Sequence, residues 1–132
     1  NGTNDLYWTS TEGSPTVEET GEGFKKLVHR IREDLPDTPI LIVSCHSTRD
    51  KSGHIAPYIQ PFNLITKELA DEVKQVYYVD TYAATVGEDG LLNPQYTTDG
   101  LHFNTAGYEI LGKLCNEALE KAGVTQAVLT AN

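Results

Sequence analysis

No apolar run in the 132-residue sequence comes near the roughly 20 residues a helix needs to cross a bilayer, so no membrane span is expected. Basic residues are few: 10 lysines and arginines stand against 19 aspartates and glutamates, a net charge of −9. Nucleic acid and anionic membrane surfaces both attract a basic patch, so neither is expected as a partner. Cysteine is scarce, and Cys45 and Cys115 lie far apart in the chain. Two buried thiols are expected rather than a disulfide, and the redox compartment stays open. There is no Cys-x-x-Cys pair and no histidine-rich cluster of the structural-zinc kind. Internal repeats, low-complexity tracts and a visible signal peptide are missing too. What is present, 39% hydrophobic and 22% charged residues, is the composition of a globular chain. Its length fits one domain with no room for a second.

Periodicity divides the chain into alternating elements. Phe24, Leu27, Val28, Ile31 and Leu35 recur at spacings of three and four, which predicts a helix with one apolar face, stopped by Pro36 and Pro39. Ile40-Leu41-Ile42-Val43 is a continuous apolar run of the kind found in strands buried within parallel sheets. A polar loop over residues 45–58 leads to a second helix over 61–73, with Phe62, Ile65, Leu69 and Val73 on one face and Pro61 in its first turn. Residues 76–80 read as a second strand. The loop 81–100 carries Gly87, Gly90 and Pro94, and loops of this length tend to be functional. A last helix spans 105–122, with Asn104 as its N-cap and Gly123 as its stop. Ala106, Ile110, Leu111, Leu114, Ala118 and Leu119 form its apolar stripe, and Val128 and Leu129 fall in a tail with no assignment. This alternation implies βα units and a parallel sheet covered on both faces. Two strands are too few to cover three amphipathic helices. The chain also opens, at residues 1–5, with what reads as the end of a strand and the turn after it. The expectation is therefore that the remaining strands come from a segment outside this chain.

Two short motifs carry chemistry. Gly2-Thr3-Asn4-Asp5 is a Gly-x-Asn-Asp turn, and Asp99-Gly100-Leu101-His102 places an acid three residues before a histidine at the start of the last helix. Ester hydrolysis needs a base to take a proton from a hydroxyl, and a neutral imidazole does this near pH 7. Asp99 would fix the ring's tautomer and stabilise the charge that forms. His46 and His54 flank a loop that leaves the carboxyl end of a strand, where α/β sheets bind ligands, so both are candidates to line a substrate pocket. A metal held by His46 and His54 would lack a third ligand. Ser44, which ends a strand two residues before His46, is a weak candidate nucleophile, because it lacks the tight glycine turn that exposes an attacking oxygen.

The two motifs, in this order, with Asn104, Gly107 and Tyr108 after the second, resemble the third and fifth sequence blocks of the SGNH (GDSL-type) hydrolases. The stretch 92–102 is similar to bacterial carbohydrate O-acetylesterases of that family. The resemblance runs from the third block to the end of the chain. It implies the C-terminal portion, residues 1–132, of a single α/β domain with a doubly wound, flavodoxin-like parallel sheet. It implies a serine esterase without metal or other cofactor. His102 would be the general base, Asp99 its orienting acid and Asn4 an oxyanion donor, with Gly2 allowing the turn. The family's Gly-Asp-Ser nucleophile block is nowhere in the sequence. The resemblance thus implies an N-terminal companion segment that brings the serine and the central strands. The substrate it implies is a small ester or an acylated sugar. The competing expectation is a non-catalytic carbohydrate-binding or interaction module built on the same fold.

Overall fold

The computed structural model describes residues 3–9, 11, 13–49 and 54–124. The elements run in the order α1 (Thr3–Trp8), α2 (Val17–Asp34), β1 (Ile40–Val43), α3 (Ala56–Glu72), β2 (Val76–Val79), α4 (Thr81–Thr85), a 3-10 turn (Pro94–Tyr96) and α5 (Thr105–Lys121). None of the described helices is long and apolar enough to cross a membrane.

Thr16 closes the start of α2 with a capping box. Its Oγ1 accepts the Glu19 N–H at 3.1 Å, and Glu19 Oε2 accepts the Thr16 N–H at 2.9 Å, so the helix start does not leave these donors unpaired. Val17, Gly21 and Val28 form the buried face. A Cβ on Gly21 would stand 2.9 Å from Ile65 Cδ1 and Cγ2 of α3, so the bare backbone is what lets the two helices meet here. Beside this contact Phe24 packs edge-on against Phe62, with ring centroids 5.8 Å apart.

β1 and β2 pair in parallel, Ile40 opposite Val76 and Val43 opposite Val79. The pleat sends alternate residues to opposite faces. Ile40, Ile42, Val76 and Tyr78 join Val28, Leu69 and Ala70 in one core, beneath α2 and α3. Leu41, Val43, Tyr77 and Val79 turn to the other face, on which α5 packs. This is the α/β layering read from the sequence, a parallel sheet between helices. Among the described residues the sheet has two strands. At about 4.8 Å per strand it is narrower than the helices lying on it. In β1 only Ile42 is buried, and of the apolar stripe on α5 only Ala118 is fully buried, while Ala106, Ile110, Leu111, Leu114 and Leu119 stay half-buried.

Several local expectations are corrected. The turn expected at the chain's start is helix α1, whose Leu6 is fully buried against Val17, Cys45, Ile55, Ile59 and Phe62. That packing overrides the turn preference of Asn4 and Asp5. α3 begins at Ala56 rather than 61, so Pro61 lies inside the helix and Pro57 takes the first-turn position. Leu27 and Leu35, expected on the buried face of α2, are 54% and 50% exposed. Leu35 is the cap beyond the last turn, and Leu27 sits about 100° around the helix from Val28. The segment 81–100 is not structureless. It holds α4, capped by Asp80 Oδ1 on the Ala83 N–H at 2.9 Å, an isolated antiparallel bridge between Val86 and Leu92, and the 3-10 turn. α5 begins and ends as expected: Asn104 Oδ1 accepts the Gly107 N–H at 3.1 Å, and Gly123 follows the helix with φ of 74°. The tail with Val128 and Leu129 lies outside the described residues.

Candidate active site

The turn before α5 is built around one carboxylate. Asp99 Oδ1 accepts the backbone N–H groups of Leu101 and His102, each at 2.8 Å. Its Oδ2 accepts the ring Nδ1–H of His102 at 2.7 Å. An ionised carboxylate can only accept, so a proton sits on Nδ1, and in the neutral ring Nε2 keeps its lone pair. The hydrogen bond from the His102 ring, reinforced by the two backbone N–H groups, holds the Asp99 carboxyl well below the usual carboxylate range. His102 and Asp99 side chains are 72% and 52% exposed, so the pair adds little to stability through its charge and is better understood as orienting the ring. Thr97 braces the turn from inside. Its Oγ1 donates to the His102 carbonyl at 2.7 Å and accepts the Gly100 N–H at 2.9 Å.

A second segment, 44–49, leaves the carboxyl end of β1 and is tied down from both sides. Asn63, a buried amide in the apolar face of α3, accepts the Cys45 N–H and donates to the Cys45 carbonyl, both at 2.8 Å. On the other side Ser47 Oγ donates to the Gly90 carbonyl at 2.9 Å, and the Arg49 N–H to the Gly100 carbonyl at 2.6 Å. The Arg49 side chain donates to the Leu92 carbonyl at 2.9 Å and to Asp89 at 2.6 Å. His46 Nε2 donates to the Leu101 carbonyl at 2.8 Å, which puts the ring proton on Nε2, and its ring lies on Phe103 with centroids 4.1 Å apart. Burial pushes the His46 pKa down; the Leu101 hydrogen bond works against this, and the neighbouring His102 works with it. Asn63, Arg49 and Thr97 escaped the sequence reading. Only Asn63 left a signal, as an amide between Phe62 and Leu69 on the buried face of α3.

A cavity of about 310 Å³ lies between these segments, lined among others by Asn4, Ser44, His46, His102, Phe103 and Tyr108. Asn4 from α1 and His102 from the turn before α5 therefore share one space. Thr3 Oγ1, 3.8 Å from Cys45 Sγ, joins α1 to the 44–49 segment. His54 is exposed, two residues before α3, and does not line this cavity. Gly2 lies outside the described residues. A larger cleft, about 500 Å³, runs along α3 and β2 past Gln60, Tyr78 and Tyr82, away from the acid–histidine pair. Ser44 is spoken for. Thr81 Oγ1 donates to the Ser44 carbonyl at 2.8 Å, which leaves Ser44 Oγ donating to Thr81 Oγ1 at 3.0 Å while accepting the Tyr82 N–H at 3.0 Å. Such a hydroxyl has neither the freedom nor the exposure of an attacking group. Neither Cys45, which is buried, nor Cys115, which is half-buried, is in a disulfide, and burial pushes both thiols up in pKa, which disfavours the thiolate a nucleophile requires. Among the described residues no group of three His, Cys, Asp or Glu side chains is placed to hold a metal ion.

Solved structures share this arrangement of elements. A Streptococcus pneumonia protein provisionally described as a platelet activating factor superposes with a TM-score of 0.74 at 28% identity, over 89% of this chain and 56% of that one. A GDSL-like lipase from Bacteroides thetaiotaomicron gives 0.71 at 25% identity, over 92% and 60%. A catalytic mutant of an acetylxylan esterase from Geobacillus stearothermophilus gives 0.69 at 20% identity, over 94% and 57%. The chain thus spans little more than half the length of each. No curated protein matches the sequence. The GDSL-like Lipase/Acylhydrolase family matches residues 2–110, a span that runs from the first described helix through the acid–histidine turn into α5, and the chain belongs to that family.

Proposed function

We propose that this chain is the C-terminal part of a serine ester hydrolase in which His102 is the general base, Asp99 its orienting acid and Asn4 an oxyanion donor. The observation that carries the reading is the 2.7 Å contact from His102 Nδ1 to Asp99 Oδ2, which leaves Nε2 as an acceptor beside a cavity that Asn4 also lines. The nucleophilic serine belongs to a companion segment outside this chain. The engagement of Ser44 in hydrogen bonds, the half-buried apolar stripe on α5 and the partial span of the related structures all favour this.

In the reaction the serine hydroxyl gives its proton to Nε2 of His102 as its oxygen attacks the acyl carbonyl. Asp99 stabilises the imidazolium that results, without itself taking the proton. The side-chain amide of Asn4 donates to the tetrahedral oxyanion. His102 then passes its proton to the departing alcohol, and a water activated by the same ring releases the acid and restores the serine. Acetylated sugars are the substrate class proposed, from the likeness of residues 92–102 to carbohydrate O-acetylesterases and from the acetylxylan esterase among the structural relatives. His46 lines the same cavity with its polar Nε2–H turned to the Leu101 carbonyl, and Gly2 and His54 stand as further binding candidates.

The test is turnover of p-nitrophenyl acetate by the chain joined to its serine-bearing segment. His102→Ala lowers kcat by about 10²–10⁴-fold, the contribution of general acid–base catalysis, with an unchanged circular dichroism spectrum. Full turnover by a folded variant removes His102 from the mechanism.

A further inference from the structure

We propose that His46 is a positioning residue for the general base, gripping the chain on both sides of His102 without touching the reacting atoms. The inference rests on the ester-hydrolase reading and adds to it a device that sets where the base stands. Asp99 fixes the rotation of the His102 ring, but it belongs to the same exposed turn and cannot fix that turn against the rest of the site. His46 can. Its Nε2–H is bonded to the carbonyl of Leu101, the residue before His102, at 2.8 Å. Its ring lies tilted by 32° over that of Phe103, the residue after His102, with centroids 4.1 Å apart. Phe103 in turn has no room to retreat, since a Cβ on Gly107 of α5 would stand 2.7 Å from Phe103 Cδ1, and Tyr108 meets the same ring edge-on at 5.9 Å.

The anchor behind His46 is rigid. Cys45, the residue before it, is clamped at both backbone groups by Asn63 and meets Thr3 of α1 through its sulfur, next to Asn4. The 44–49 segment therefore spans from the oxyanion donor to the base, and His46 is its side-chain contact with the two residues that flank the base. The turn keeps another tie when His46 is changed, the Arg49 N–H to the Gly100 carbonyl at 2.6 Å, so loss of His46 shifts the turn rather than unfolds it.

The experiment uses the chain with its serine-bearing segment, p-nitrophenyl acetate as substrate, and active sites counted by a fluorophosphonate. His46→Phe keeps an aromatic ring against Phe103 and loses the donor. It is expected to lower kcat about tenfold to a hundredfold, the cost of a misplaced catalytic group, with KM held within about twofold. His46→Gln restores a side-chain N–H and is expected to recover kcat to within about threefold of the parent. A His46→Phe enzyme with parental kcat overturns the proposal, and so does an equal fall for both variants, which would show that the hydrogen bond is not the device. Should His46→Phe fail to fold, long-range proton–nitrogen spectra of the unaltered enzyme decide the matter. A proton on Nε2 of His46 supports the proposal, and a proton on Nδ1 alone overturns it. Failure of the hydrolase reading looks different, because then His102→Ala also turns over at the parental rate.

Discussion

Replacing Asp99 by asparagine changes one atom of the most closely defined contact in the site. The amide oxygen can still accept the Leu101 and His102 N–H groups that Oδ1 holds at 2.8 Å, so the turn keeps its shape. Oδ2, 2.7 Å from His102 Nδ1, becomes an NH₂ group, and a donor then faces a donor. The imidazole relieves this by moving its proton to Nε2, the atom that accepts the serine proton in the proposed reaction. In a buried triad this exchange costs about 10⁴ in kcat. The His102 and Asp99 side chains are 72% and 52% exposed in this chain by itself, and the serine-bearing segment would cover part of that surface, so the expected fall lies between the value for general acid–base catalysis and that of a buried triad, about 10²–10⁴-fold. Initial rates with p-nitrophenyl acetate, corrected for active-site concentration, give the number, and an unchanged thermal melt shows that the turn is intact. A variant within about threefold of the parent would refute the tautomer argument. The pH profile supplies a second check. The Asp99 pKa is depressed in the folded protein, so its interactions are fully present above the ordinary carboxylate value of about 4 and are lost only in stronger acid. The acid limb of kcat/KM in the parent enzyme then carries no contribution from Asp99 above pH 5. A two-proton limb above pH 5 would contradict an Asp99 that is already ionised.

Two further substitutions separate catalysis from support. Asn4→Ala removes one oxyanion donor and is expected to lower kcat by about 10²–10³-fold with little change in KM; an unchanged rate in steady-state kinetics returns Asn4 to a structural part in α1. Asn63→Ala strips the buried N–H and carbonyl of Cys45 of the partners that hold them at 2.8 Å, and urea unfolding should show a loss of about 2–4 kcal/mol. A loss below about 1 kcal/mol would mean that other groups satisfy this backbone.

What the sequence made legible is local. The apolar run at Ile40–Val43, the spacing of Phe62, Ile65 and Leu69, and the Asn104 cap all report interactions within a few residues of one another, and the structure agrees with each. Asp99 and His102 were legible for the same reason, as a contact closed over three residues. The misreadings arose where distant packing decides. Asn4 and Asp5 favour a turn in isolation, but the burial of Leu6 against α2 and α3 makes a helix of them. Pro61 looked like a first-turn proline because Pro57, four residues earlier, was read as loop, and the buried Ile59 extends the apolar face of α3 back across it. The clamp of Asn63 on Cys45 and the ties from Ser47, His46 and Arg49 to residues 90–101 span long stretches of chain. They follow no periodicity and so leave almost no trace in the sequence.

The central claim is that Asn4, Asp99 and His102 serve a serine that lies outside these residues. Labelling the complete hydrolase with a fluorophosphonate and locating the adduct by peptide mass spectrometry tests it most directly. The account predicts one adduct, on a serine of the companion segment, that fails to form in His102→Ala. An adduct on Ser44, or on any other residue of this chain, would contradict it.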